Sequence, residues 1–263
     1  GAPGHGGPGP GGKGVRLLIS PAKKMREEDF LAPVGEPLFL HRAGRLLEAL
    51  RAMPYPQLKK LLACNDAIAQ VNYQRYQAMD LARAFTPALL AYEGIQYQYM
   101  APGLFTQPQF DYVKEHLRIL SGFYGLLRPL DPVAPYRLEM QARLAVDGCK
   151  NLYQYWGDAL ARALEEETDL VVDLASQEYA RAVRPHLRPG TRFLTCVFAQ
   201  KTGDRLVEKG VYVKMARGEM VRFLAERQAR SPEEMQAFDR LGYRFSPEES
   251  DGDTYVFLQE GKP

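Results

Sequence analysis

The segment from Arg118 to Met140, RILSGFYGLLRPLDPVAPYRLEM, constrains the fold more than any other part of the chain. It opens apolar at Ile119 and Leu120, then passes Ser121, Gly122 and Gly125, where the backbone can turn and approach another group closely. Leu126 and Leu127 anchor that turn in a core. Arg128-Pro129-Leu130-Asp131-Pro132 follows, and two prolines in five residues exclude both a continuous helix and a central strand. Tyr136, Arg137 and Glu139 then come close together. Guanidinium groups on so rigid a scaffold suit bidentate recognition of phosphate or carboxylate. The alternative is that Arg128 braces Asp131 and Arg137 braces Glu139.

A chain of 263 residues accommodates one large domain or two small ones. Residues 1–14, GAPGHGGPGPGGKG, are almost all Gly and Pro and are expected to be a disordered tail. The chain begins without Met, so part of this tail reads as an expression scar. Residues 15–263 are expected to form a single compact domain, without internal repeat or interdomain linker. The net charge of +2 announces no partner, but its distribution is uneven. From Glu178 to Arg230 there are 12 Lys/Arg against 5 Asp/Glu, a local +7, and beyond Arg230 8 acids face 3 bases, a local −5. Such asymmetry fits a basic surface that meets phosphates, or two regions that pair with each other. Cys64, Cys149 and Cys196 are far apart, as expected of reduced cytoplasmic thiols. No metal-ligand cluster, cofactor motif, secretory signal or membrane-length apolar run is visible, so no metal, cofactor or membrane partner is expected and the cytoplasm is the expected location.

Val15 to Ile19 reads as a buried strand emptying into Ser20-Pro21-Ala22-Lys23-Lys24, a place where an open α/β sheet presents ligand-binding groups. Phe39 to Met53 has helical spacing and stops at Pro54. Leu58 to Met79 continues as a helical hairpin, with Asp66 capping its second helix. Ala88 to Met100 reads as a strand with a turn at Gly94. Thr106-Gln107-Pro108-Gln109 starts a helix, and Asn151 to Glu166 reads as one helix with Trp156 in the core or walling a pocket. Asp169 to Leu174 is a strand, after which Ser176 caps a short helix, and Glu178 and Tyr179 face a cleft beside Ser20 and Lys23 if the two strands are neighbours. Thr191 to Ala199 is a strand, and Gly203-Asp204 and Gly210 punctuate a hairpin. Val211 to Ala229 reads as a strand edge running into a helix, Ser231-Pro232-Glu233-Glu234 as a capping box, and Tyr243 to Phe245 with Thr254 to Leu258 as the last strands. The expected class is mixed α/β (α+β), a central mixed sheet with surrounding helices and a helical-hairpin insertion.

The Leu120 to Met140 segment resembles the signature of the bacterial peroxide stress resistance protein YaaA family. Other blocks are similar to it in the same order: Leu18 to Lys23, Asn151 to Asp158, Leu174-Ala175-Ser176 with Glu178-Tyr179, and Lys214 with Ala216-Arg217-Gly218. The likeness runs from about Val15 to the last strand. It implies a protein of peroxide stress defence that limits free iron and binds duplex or branched DNA, with a helix-hairpin-helix element for the DNA. That element would lie in the helical hairpin, where Lys59, Lys60, Asn72 and Arg75 are the candidate DNA contacts. The phosphate-facing glycine of such hairpins is replaced here by Ile68-Ala69-Gln70-Val71-Asn72. Gly94-Ile95-Gln96-Tyr97 also stands where the family has an acid after the glycine.

Three functions fit. The first is backbone-directed DNA binding through Lys and Arg, steep in its salt dependence. The second is an enzyme or binder acting on a nucleotide-like or other anionic small molecule. Its pocket would gather Ser20, Lys23, Ser121, Tyr124, Arg128, Arg137, Glu139, Ser176, Glu178 and Tyr179, with Lys214 and Arg217 added by the resemblance. Lys23, Arg128 and Arg137 would hold the anion, and Glu178 or Glu139 would act as general base. No Ser-His-Asp order, P-loop or GxGxxG names a reaction. The third is an interaction scaffold whose arginines are internal braces.

Overall fold

The computed structural model describes residues 14–260. The tail expected over 1–14 lies outside the described residues, Gly14 excepted.

The described residues build an eight-stranded mixed sheet. Its strands are β1 (Arg16–Ile19), β2 (Leu117–Ser121), β3 (Gly125–Leu127), β4 (Leu170–Leu174), β5 (Arg192–Thr202), β6 (Arg205–Val207), β7 (Tyr243–Phe245) and β8 (Thr254–Gln259). The order is β7-β8-β5-β4-β1-β2-β3, with β6 paired to the far end of β5. The five strands from β8 to β2 run parallel, and β7, β3 and β6 are antiparallel additions. Parallel strands are covered on both faces, and β1 and β2 are buried along their whole length, the apolar runs filling the core. Register places Leu17 between Leu117 and Val172, so β1 is flanked by β2 and β4.

That order contains a topological switch. The chain leaves β1 and returns as β2 on one side, whereas it leaves β4 and returns as β5 on the other. The connections after two neighbouring strands therefore part in opposite directions, and a crevice opens beyond their carboxyl ends. Ser20 follows β1 there and Ser176 follows β4.

The helices are α1 (Leu40–Arg51), α2 (Tyr55–Leu62), α3 (Asp66–Ala78), α4 (Ile95–Met100), α5 (Gln107–His116), α6 (Leu152–Trp156), α7 (Ala159–Glu167), α8 (Gln177–Ala180) and α9 (Gly210–Arg227). α2 and α3 form the expected hairpin, but the cap is Asn65, whose side chain accepts from the Ile68 N–H at 3.0 Å. Thr106 and Gln109 form the capping box of α5, and Ser231 and Glu234 form the later one.

Three expectations are corrected. Ala88 to Met100 is not a strand: Ala88–Ala91 is one helical turn, Tyr92–Glu93 pairs with Lys24–Met25, and α4 follows. Asn151 to Glu166 is two helices, because the chain turns at Gly157 with φ of 51°. Val211 to Ala229 contains no strand edge, since α9 runs unbroken from Gly210.

Candidate functional site

The crevice beyond β1 and β4 is a cleft of about 550 Å³. Eight of the twelve expected pocket residues line it: Ser20, Lys23, Glu139, Ser176, Glu178, Tyr179, Lys214 and Arg217. At its base the Ser176 N–H donates to Ser20 Oγ at 2.9 Å, and the two hydroxyls meet at 3.3 Å. The Ser176 side chain therefore reaches across to β1 and makes no capping bond to α8, as had been expected of it. The Ser20 carbonyl accepts from Gln96 Nε2 at 3.0 Å and from the Tyr97 hydroxyl at 2.9 Å. Gln96 and Tyr97 line the cleft too. Reading Ala88 to Met100 as a strand with a turn at Gly94 concealed them.

Two close approaches set the walls. A Cβ on Gly218 would fall inside contact with the Gln96 carbonyl oxygen and 2.9 Å from Met100 N, so α9 crosses α4 backbone against backbone. Four residues before Gly218 the same helix brings Lys214 to the cleft, and Arg217, one residue before it, joins Lys214 at i,i+3 on one face. A Cβ on Gly122 would lie 2.6 Å from the Leu138 carbonyl. The strap after Pro135 thus passes tightly over the β2–β3 turn and delivers Glu139 and Gln141 to the opposite wall.

The charges in the cleft are not all matched. Lys23 pairs with Glu139 at 3.2 Å and Lys24 with Glu93 at 3.4 Å. Lys214 and Arg217 form no ion pair among the described residues, and Arg217 Nε is buried without a hydrogen-bond partner. Burial lowers the Arg217 guanidinium, while Glu208 and Asp173 oppose that shift from farther off. Asp173, at the end of β4, is raised by burial to about 6, and its Oδ2 lies 3.5 Å from Arg184. Glu178 accepts from the Gln141 N–H at 3.3 Å. Desolvation raises its carboxyl, Glu139 adds to the rise, and Lys23 and backbone N–H groups oppose it. Burial also raises the Tyr179 hydroxyl, which stays a proton donor.

Four expected pocket residues lie elsewhere. Ser121 is fully buried: its Oγ accepts from the Phe123 and Tyr124 N–H groups and meets the Tyr136 hydroxyl at 2.5 Å, which meets Tyr92 at 2.7 Å. Tyr124 is equally buried, its hydroxyl accepting from Ala134 N–H at 2.9 Å. These two hold the strap in shape behind the cleft. Leu127 pairs with Ile119, so β3 carries Arg128 back from the carboxyl edge. There Arg128 braces Asp131 at 3.0 Å and donates to the Glu36 carbonyl at 2.7 Å. Arg137 does not brace Glu139, which Lys23 takes instead; its backbone is pinned at both ends by the Tyr76 hydroxyl.

The four candidate DNA contacts do not form one surface. Asn72 is buried, donating to the Ile68 carbonyl at 2.9 Å, and Arg75 is half-buried against it. Lys59 pairs with Asp66 at 3.0 Å, which leaves Lys60 exposed and unpaired among the described residues. The asymmetric charge of the last third is in part internal: Lys201 meets Glu249 at 2.7 Å and Arg192 meets Glu233 at 3.9 Å. No helix is long and apolar enough to cross a membrane, and no three His, Cys, Asp or Glu gather as a metal site among the described residues.

Fold and site thus define a mixed α/β protein with a polar cleft at the switch point of its sheet. A family profile described as peroxide stress protein YaaA matches residues 15–249, and the chain belongs to that family. It is 51% identical over 246 residues to a UPF0246 protein of Desulfitobacterium hafniense, covering 93% of this chain and 98% of that one. A UPF0246 protein of Lactiplantibacillus plantarum is 47% identical, covering 94% and 100%, and one of Agathobacter rectalis 46%, covering 92% and 98%.

Proposed function

We propose that the cleft beyond β1 and β4 binds a small phosphorylated or carboxylated molecule, and that this binding is how the protein serves peroxide stress defence. The observation that carries the reading is the pair Lys214 and Arg217, two cations on one helix face that form no ion pair among the described residues. A guanidinium taken out of water without a partner is costly, and an anion in the cleft removes that cost. Ser20 and Ser176 offer hydroxyls at the base, and Tyr179 a further donor. Glu178, a carboxylate whose proton affinity is raised by burial and by Glu139, is the group positioned to take a proton from a bound ligand.

The test is calorimetric titration with inorganic phosphate, pyrophosphate and citrate. Arg217→Met is expected to weaken the best of these about tenfold or more, and Arg128→Met, outside the cleft, to leave it unchanged. Equal affinity of wild type and Arg217→Met for every anion defeats the reading.

Duplex DNA is a second reading, favoured by Lys23, Lys24 and Lys214, which are exposed at the cleft mouth. A phosphate backbone lying across that mouth gives a log–log salt slope of about −0.9 for each contact. Duplex and junction DNA that bind with a flat slope, or not at all at low salt, remove it. Control of free iron would follow from either partner and is read out as iron-dependent damage in cells carrying Arg217→Met.

A further inference from the structure

A second groove, of about 340 Å³, lies apart from the cleft at the end of α3 farthest from the hairpin loop. Its floor is apolar, with Met79, Val133 and Pro135, and three guanidinium groups line it: Arg26, Arg75 and Arg83. Arg83 is already answered by Asp80 at 3.5 Å. Arg26 spends its Nε on the Leu90 carbonyl at 3.2 Å and Arg75 has only two long contacts, to Asn72 Oδ1 at 3.3 Å and the Met25 carbonyl at 3.4 Å. Neither forms an ion pair among the described residues, although Glu27 also lines the groove. Phe85 stands at the rim with 44% of its surface exposed, a large apolar ring left in water beside stranded cations.

From this combination we propose that the groove is a site for a nucleoside phosphate, the phosphate held by Arg26 and Arg75 and the base stacked on Phe85. Guanidinium forks match phosphate oxygens, and an exposed aromatic ring accepts any base face. The volume suits one nucleotide. Burial lowers the Arg75 guanidinium, a cost that a bound phosphate relieves. The site is independent of the cleft, sharing no lining residue with it.

The experiment is a titration of the full chain with AMP, adenosine and inorganic phosphate at low salt. AMP is expected to bind saturably, and adenosine and phosphate each about tenfold more weakly, because each keeps half the contacts. Phe85→Ala and Arg75→Met should each weaken AMP about tenfold, whereas Arg217→Met should not. Should Arg75→Met fold poorly, Arg26→Met tests the same contact from the exposed side. A 5′-phosphorylated dinucleotide then tells the end of a strand from a free nucleotide; either result upholds the nucleoside phosphate. AMP that fails to bind, binds no better than phosphate, or is lost with Arg217→Met but not with Phe85→Ala and Arg75→Met overturns the proposal. That last result would place AMP in the cleft and leave the reading of Lys214 and Arg217 standing.

Discussion

Among single residues, Asp173 and Arg217 make the sharpest predictions. Burial lifts the Asp173 carboxyl from 3.8 to about 6, so between those values the native state holds a proton that the unfolded chain releases. Stability from this group is full below pH 3.8 and is lost as the pH rises through about 6. Asp173→Asn removes that slope. Urea unfolding from pH 4 to pH 7 should show the variant gaining on wild type by up to about 3 kcal/mol. Parallel curves would show that Asp173 ionises in the native state as it does in the unfolded chain. Arg217→Met should lose anion affinity while its thermal midpoint holds or rises, since the substitution takes away a half-buried charge that forms no ion pair among the described residues. A midpoint that drops by several degrees would make Arg217 a structural brace.

Single helices and straps are where the sequence was both most and least legible. The capping boxes at Thr106 and Ser231 were plain, because their signal lies within four residues, and Thr106→Ala should cost about 1 kcal/mol in thermal or urea unfolding. The pocket residues after β1 and β4 were readable for the same reason: a short apolar run that ends in small polar residues marks a strand's carboxyl end. Gln96 and Tyr97 were hidden because alternating tyrosines and glutamines over Ile95–Met100 suit a strand as well as a helix, and only packing against α9 decides between them. Arg128 was misplaced because residue type does not say which way β3 turns. The crossing itself can be tested. Gly218→Ala adds a methyl inside contact with the α4 backbone and should destabilise by about 1 to 3 kcal/mol, despite the better helix propensity of alanine. Gly210→Ala, with nothing within 4 Å of the added carbon at the start of the same helix, should be neutral or slightly stabilising.

Over the whole molecule, strand order does what no local pattern foretold. β1 lies between β4 and β2, and the departure of their connections in opposite directions opens the cleft. Residues 156 positions apart, Ser20 and Ser176, become hydrogen-bonded neighbours, and the long helix α9 closes the space from a third segment. The most direct measurement is the crystal structure of the protein soaked in phosphate. The account predicts tetrahedral density in the cleft within hydrogen-bonding reach of Arg217 and Lys214. An empty cleft, with Arg217 turned to pair with Glu208 or Asp173, would contradict it.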